Sequence, residues 1–288
     1  MICRFAPSPT GYLHLGHAYS AWIGWASARA SGGTFLLRLD DIDAARCRPE
    51  YESAIMEDLT WLGLDRDGPV RRQSEHLAAY AAALDRLEAL GVVYPCFCSR
   101  KEIRAEVAAM PSAPHGPDGP LYPGTCRGLD AATRAARIAA GEPYSLRLDA
   151  AEAMRRTGPL TWSEASQGPI PVDPAVNGDV MLARKDAPAS YHLSVVVDDA
   201  EQGVTLVTRG DDLRHATHVH RILQALLTLP EPTYAHHRLI TDESGTRLAK
   251  RADAFAIRHY REAGESPAQV WARCGVNGPA GLGAGAAD

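Results

Sequence analysis

Three short stretches carry residue types whose spacing could do chemistry. The first is RFAPSPTGYLHLGHA, residues 4–18. Pro7 and Pro9 hold an extended entry, since a residue before proline is pushed away from helical angles. Gly11 supplies a turn, and a helix is predicted to start shortly afterwards. Backbone N–H groups at such a junction lack intrahelical partners and favour an anion. His14 and His17 flank Gly16 there. Their ring nitrogens can donate to phosphate, and a glycine lets a flat ring lie against the backbone. The plain alternative is a capped helix with two surface histidines. The second stretch is RLAKR, residues 247–251, where Lys250 is a point charge on a flexible stem, suited to neutralising a phosphate. Alone, it also reads as a solvated basic loop. The third is Cys96, Cys98 and Cys126, three thiols within 31 residues. Three thiolates suit zinc, whose structural sites are tetrahedral, whereas three buried free thiols are the structural alternative. His115, in the Pro/Gly loop 111–124, is a conventional fourth ligand.

The elements that must position these residues follow from hydrophobic periodicity. Helices are predicted over 12–30, 51–62 and 74–90, over 99–110 with a Ser99/Glu102 capping box, and over 130–141 and 212–229. Strands are predicted over 35–39, 92–98, 145–149, 191–197 and 204–208. HRLITDESGTRLAKR, residues 237–251, reads as strand, turn and basic loop. The opening order is therefore loop, helix, strand. Strands alternating with helices indicate α/β architecture with a mostly parallel sheet, where phosphate-type signals near opposite ends of a chain can meet at the carboxyl edge.

The chain has 288 residues, 45% hydrophobic and 23% charged, with formal net charge −5. That composition fits a folded protein and argues against a general polyanion binder, though not against a local basic face. No apolar run reaches the length of a membrane span. Pro7 and Pro9 interrupt the place where a secretion signal would need its apolar core, so a cytoplasmic protein with reduced cysteines is expected.

HLGH and RLAKR resemble the paired HIGH and KMSKS signatures of class I aminoacyl-tRNA synthetases. RFAPSPTGYLHLGHA, LLRLDDID, YHLSVVVDD and TRGDDL, in that order, resemble the catalytic domain of glutamyl-tRNA synthetases. The likeness covers about residues 4–260. The chain ends where a helical anticodon-binding region would start, so the catalytic-domain-only glutamyl-queuosine tRNA(Asp) synthetase family is closer. The resemblance implies a Rossmann-type parallel-sheet nucleotide-binding domain with a zinc-bearing insert and a C-terminal helical segment. The expected spans are 1–95 and 166–235 for its two halves, 96–165 for the insert, 236–274 for the KMSKS-like loop and helical segment, and 275–288 for a disordered tail.

The implied activity is ATP-dependent activation of L-glutamate without tRNA, then transfer to queuosine at the first anticodon position of tRNA(Asp). The rivals are a shortened glutamyl-tRNA synthetase charging the 3′ end and a non-catalytic, zinc-stabilised tRNA-binding module. The resemblance gives Arg4, Phe5, Ala6, Pro7 and Ser8 to the glutamate pocket, with Arg4 facing a carboxylate. Asp40 would meet the amino group, and Tyr191 and Arg209 complete the contacts. His14, Gly16, His17 and Lys250 are implied for ATP, with both histidines and the lysine as the catalytic groups. It implies one structural zinc on Cys96, Cys98, Cys126 and Tyr122, Mg2+ accompanying ATP, and a monomer. Glutamate carries two carboxylates and one ammonium, so two guanidiniums and one carboxylate suit it. Two departures stand out. Asp40 occupies the position where the family has Glu, and Ala249 occupies that of the Ser in KMSKS.

Overall fold

The computed structural model describes residues 1–109, 115–117, 119–185, 187–241 and 256–279. Along the chain the strands are β1 (Ile2–Phe5), β2 (Thr34–Leu39), β3 (Arg71–Arg72), β4 (Val93–Cys96), β5 (His115–Gly116), β6 (Gly119–Pro120), β7 (Ser145–Leu148), β8 (Thr161–Glu164), β9 (Gly168–Pro171), β10 (Met181–Ala183), β11 (Leu206–Gly210) and β12 (Thr233–His237). The helices are α1 (Leu15–Ala30), α2 (Pro49–Trp61), α3 (Leu77–Ala89), α4 (Arg100–Ala109), α5 (Ala131–Ala139), α6 (Ala150–Thr157), α7 (Tyr191–Glu201), α8 (Ala216–Leu226), α9 (Ile257–Glu262) and α10 (Pro267–Cys274).

Two compact units result. One comprises Met1–Glu75, Gly203–Leu213 and Pro232–Asp288; the other comprises His76–Gln202 and Arg214–Glu231. The expected boundaries at 95, 165 and 235 follow chain order, and the units interleave it.

The first unit is built on a sheet in the order β3-β2-β1-β11-β12, with every adjacent pair parallel. Parallel strands need long crossovers, and a helix-bearing crossover covers the sheet, so its strands read as nearly continuous apolar runs. Cys3, Phe5, Phe35, Leu37 and Leu39 are buried on β1 and β2. Helix α1 lies over this sheet through Ala18, Ala21, Gly24, Trp25 and Ala28. Gly24 permits the close approach: a Cβ there would stand 2.9 Å from the Thr208 hydroxyl on β11. Helix α10 packs on α1 and buries Val270, Trp271 and Cys274 in the same core. It has every local signal a helix can carry: a Ser266/Gln269 capping box, Pro267 in its first turn, and Gly275 left-handed at its end with φ 72°. Residues 275–279, expected to begin a disordered tail, continue this structure. Val276 joins the core, and Pro279 comes within 3.6 Å of a Cβ built on Gly63. Positions 280–288 lie outside the described residues.

The second unit contains the antiparallel sheet β10-β7-β4, the hairpins β8-β9 and β5-β6, and helices α3 to α8. The Tyr80 hydroxyl on α3 donates to Asp198 on α7 at 2.8 Å in a fully buried pair. Asp179 is a second internal anchor. Its carboxylate accepts from Tyr94 at 2.6 Å, from the Ala150 amide at 3.1 Å and from Arg127 at 3.0 Å.

Three elements differ from expectation. Residues 191–197 form the start of helix α7, not a strand. Leu193 through Asp199 are all buried, so the helix shows no polar stripe, and its valine run imitates a buried strand. The last strand of the first unit is Thr233–His237, ending where the expected strand began. The chain also opens with β1 rather than a loop.

Candidate active site and metal centre

The carboxyl edge of the parallel sheet collects the predicted groups of the first unit. Arg4 is the third residue of β1 and is buried. Its Nη1 donates to the Thr208 carbonyl on β11 at 3.3 Å. Arg209 follows on β11, also buried, and donates from Nε to His236 Nε2 on β12 at 3.1 Å. Its guanidinium carbon lies 5.2 Å from the centre of the Tyr234 ring. The two arginines thus stand on neighbouring strands, and the Arg4 guanidinium is held by the carbonyl of the residue that precedes Arg209. Phe5 is core, Ala6 is half-buried, Pro7 is buried and Ser8 is exposed. The Pro7 carbonyl accepts from the Asp40 amide at 3.0 Å, which ties the Pro-rich entry to the end of β2.

Asp40 sits just past β2 and accepts from Arg38 Nε at 2.8 Å. Positions two apart on a strand share a face. Arg38 is wholly buried on β2, so this pair fixes how the Asp40 carboxylate is presented. Asp41 is structural: it accepts from the Ser74 amide at 2.8 Å and hydroxyl at 2.6 Å. Arg38 and His236 escaped the sequence reading. A basic residue two before the acidic position, and a histidine closing the strand beside that of Arg209, were the available signals.

His14 and His17 build the N-terminus of α1. His14 is the N-cap: its Nδ1 accepts from the amides of Gly16 at 3.1 Å and His17 at 3.4 Å. His17 Nδ1 accepts in return from the His14 amide at 3.3 Å. This is a capping box made from two imidazoles instead of a hydroxyl and a carboxylate. The rings stack with centroids 3.7 Å apart. Burial pushes the His14 proton affinity down. Burial, and then His14, push that of His17 down from 6.5 to about 3. Both rings are therefore neutral at pH 7. Because each Nδ1 accepts, the proton sits on Nε2, and each ring has one donor directed away from its own backbone. Gly16 also leaves room for a ring within the chain itself: a Cβ there would meet the His14 ring at 3.0 Å.

Lys250 and Ala249 lie outside the described residues, which stop at Thr241 and resume at Ala256. At the resumption Ala256 forms a bridge with His14, and the Ile257 amide donates to the Leu13 carbonyl at 2.7 Å. The chain therefore leaves that segment directly beside HLGH.

Tyr191 is in the second unit, as the first residue of α7, with 37% of its surface exposed. Its ring approaches those of His192 and His220, each with centroids 5.5 Å away.

The sulfurs of Cys96, Cys98 and Cys126 lie within 4.8 Å of one another. Those of Cys98 and Cys126 are 3.4 Å apart, and the Tyr122 hydroxyl lies 3.7 Å from Cys98 Sγ. Tetrahedral thiolates around zinc are separated by about 3.8 Å, given Zn–S bonds near 2.3 Å. Three thiols and the phenol thus fit a soft divalent metal such as zinc. Without a cation, burial holds the Cys98 thiol up at about 12 and also raises the Tyr122 phenol. A bound metal would supply the charge needed to ionise them. The Tyr122 hydroxyl accepts from the Cys126 amide at 2.8 Å, and Arg147 lies 3.9 Å over the ring. The His115 side chain lies outside the described residues.

A parallel sheet with a capped helix N-terminus and paired arginines at its carboxyl edge defines an α/β domain of the kind whose ligand sites lie at that edge. Residues 1–280 match the family described as tRNA synthetases class I (E and Q), catalytic domain, and the chain belongs to that family. A protein of Rhodobacter capsulatus named glutamyl-Q tRNA(Asp) synthetase is 51% identical, over 94% of this chain and 98% of its own length. One of the same name from Nocardia farcinica is 46% identical, over 93% and 82%. Among solved structures, a glutamate tRNA ligase of Elizabethkingia meningosepticum in complex with its amino acid superposes with a TM-score of 0.74 at 29% identity. It covers 88% of this chain, which spans 53% of that ligase. Among the described residues, no helix is long and apolar enough to cross a membrane.

Proposed function

We propose that this protein activates L-glutamate with ATP to glutamyl-adenylate and transfers the glutamyl group to queuosine at the first anticodon position of tRNA(Asp). The observation that supports it most directly is the pair of buried guanidiniums, Arg4 and Arg209, on adjacent strand ends of a phosphate-binding type of sheet. Glutamate presents two carboxylates, and guanidinium is the side chain that grips a carboxylate through two parallel hydrogen bonds. Asp40, oriented by Arg38, is the counter-charge for the ammonium. Tyr191 is assigned to the glutamate contacts by the resemblance alone.

Activation is in-line attack of the substrate α-carboxylate on the α-phosphorus of ATP, with pyrophosphate leaving. No side-chain nucleophile is needed; positioning and charge stabilisation carry the step. The Nε2–H groups of His14 and His17 donate to the triphosphate from the N-terminus of α1. Being neutral, they stabilise charge by hydrogen bonding without competing for protons. Lys250 supplies the positive charge. Mg2+ accompanies ATP through phosphate oxygens. A hydroxyl of queuosine then attacks the adenylate carbonyl, and AMP leaves. Zinc on Cys96, Cys98, Cys126 and Tyr122 has a structural role.

The test is glutamate-dependent exchange of pyrophosphate into ATP with zinc-replete protein and no RNA, with aspartate and glutamine as controls. Exchange with glutamate alone is expected; its absence counts against the proposal. Glutamyl transfer is then compared on tRNA(Asp) with and without queuosine. Equal transfer to both would favour charging of the 3′ end.

A further inference from the structure

Arg209 is not held by its strand alone. Its partner in the β11–β12 register is His236. Parallel neighbours place these two side chains beside each other on one face of the sheet, and the Nε–H of Arg209 donates to Nε2 of His236 at 3.1 Å. Two residues earlier on β12, the buried Tyr234 carries its ring under the same guanidinium, 5.2 Å from centroid to carbon. The Tyr234 and His236 rings are nearly parallel, inclined by 5° with centroids 6.1 Å apart. The guanidinium therefore has a ring under its face and an acceptor on its Nε edge.

We propose that His236 is a positioning residue for substrate recognition. Its unprotonated Nε2 fixes the plane and rotation of the Arg209 guanidinium. A carboxylate can meet a guanidinium side-on, through Nε and one Nη, or end-on, through the two Nη groups. With Nε committed to His236, the side-on mode through Nε is already taken by the protein. An arginine side chain carries much rotamer freedom, and fixing it before the ligand arrives lowers the entropic cost of binding. An acceptor is required at this position, not simply an aromatic ring. The tautomer follows: Nε2 accepts, so the neutral ring carries its proton on Nδ1.

The proposal rests on the assignment of Arg209 to the glutamate pocket, and the experiment separates the two. Glutamate-dependent pyrophosphate exchange is measured for wild type, His236→Leu, His236→Gln and His236→Asn, with KM for glutamate, KM for ATP and kcat determined separately. Melting curves of each variant, with and without ATP, check folding. A Gln amide oxygen can reach the place of Nε2, whereas the Asn amide is one methylene short of it. A hydrogen bond to a charged group is worth roughly 1.5–3 kcal/mol. His236→Leu and His236→Asn should therefore raise KM for glutamate by about tenfold to a hundredfold. KM for ATP should change less than about twofold, and His236→Gln should recover most of the loss. If wild type shows no exchange, the glutamate assignment fails and the proposal with it. If wild type exchanges but Leu, Asn and Gln variants share one KM for glutamate, His236 does not position Arg209 while the assignment stands. A parallel rise in both KM values, or recovery by Asn as complete as by Gln, also overturns the proposal. Should His236→Leu fail to fold, the comparison of Gln with Asn decides.

Discussion

The sheet edge of the first unit and the thiol cluster of the second are both assembled from residues distant in sequence, yet they are held in opposite ways. At the sheet edge each polar group is fixed by another part of the fold. Arg4 is held by the Thr208 carbonyl, Arg209 by His236 and Tyr234, Asp40 by Arg38, and the two histidines by each other's backbone. Their geometry is a product of strand register and helix capping, with several strands and α1 behind it. Among the described residues the thiol cluster has a small apolar patch: Tyr94, Cys96, Phe97 and Cys126, with Cys98, Tyr122, Leu129 and Tyr144 against it. The proposed metal would join the three sulfurs and add to the order of that patch. One region is preorganised by the fold, and the other is a loop-rich segment in which the proposed metal would take the place of a core.

The sharpest way to break this contrast is to remove a guanidinium from the sheet edge. Arg4→Leu should lower glutamate-dependent exchange by at least about a hundredfold, because a paired carboxylate contact is lost. The melting temperature should move by only a few degrees, since the core of β1, β2 and α1 remains. A variant that unfolds instead would mean that Arg4 is a structural strut and that the edge is not preorganised. The complementary change is Cys98→Ala. It should abolish stoichiometric zinc, expose the 96–127 region to proteolysis and lower the melting temperature by about 10 °C. Zinc quantification and limited proteolysis of wild type, with and without chelator, check the same point. An unchanged protease pattern after chelation would show that the cluster stands without metal.

The two regions were also unequally legible in the sequence. The three cysteines were legible from residue type and spacing, because ligand chemistry restricts both, whereas Tyr122 entered only through the resemblance. Arg4, Asp40 and Arg209 were found through the ordered resemblance, while the groups that hold them were not. Arg38 and His236 look like any strand residues, and their roles depend on register, which no short pattern encodes. Helix boundaries followed caps and periodicity where these were present, as with Ser99 and Glu102, whose amides and side chains bond at 2.7 and 3.2 Å. Helix α7 was misread because burial on all sides removes the periodicity that identifies a helix. The segment containing Lys250 is legible only as a motif; its neighbour Ala256 is the closest described link to HLGH.

The imidazole capping box gives a smaller effect of defined sign. His17 keeps its neutral form in the fold, with its affinity for a proton pushed down from 6.5 to about 3 by burial. The unfolded chain takes up that proton near pH 6.5, whereas the native state does not. Unfolding then absorbs protons as pH falls below 6.5, and stability is lost toward acid. Between pH 7 and 5.5 the loss is about 1 kcal/mol. His17→Gln keeps a third-position side chain able to complete the cap but removes the titration. Urea denaturation at both pH values should therefore show a flatter dependence for the variant. Equal slopes would mean that His17 takes up its proton alike in the folded and the unfolded chain, and the effect of burial on this ring would fail with it.

The smallest effect concerns Asp40→Glu, which sharpens the contrast most finely. The salt bridge to Arg38 fixes where this carboxylate ends, with the Asp40 side chain 9% exposed and Arg38 fully buried. Lengthening it by one methylene would either push the carboxylate toward the ligand or force it off Arg38. In a fold-organised edge, Arg38 does not move to compensate, because it is enclosed on β2 with no room to shift. The substitution should therefore raise KM for glutamate a few-fold, with kcat less affected, as expected when a ground-state contact is displaced and the reacting groups stay in place. In a compliant edge, Asp40 and Glu would bind glutamate alike. Exchange kinetics with glutamate and aspartate for the two proteins separate the outcomes: a rigid edge changes the ratio of the two KM values, and a compliant one leaves it constant.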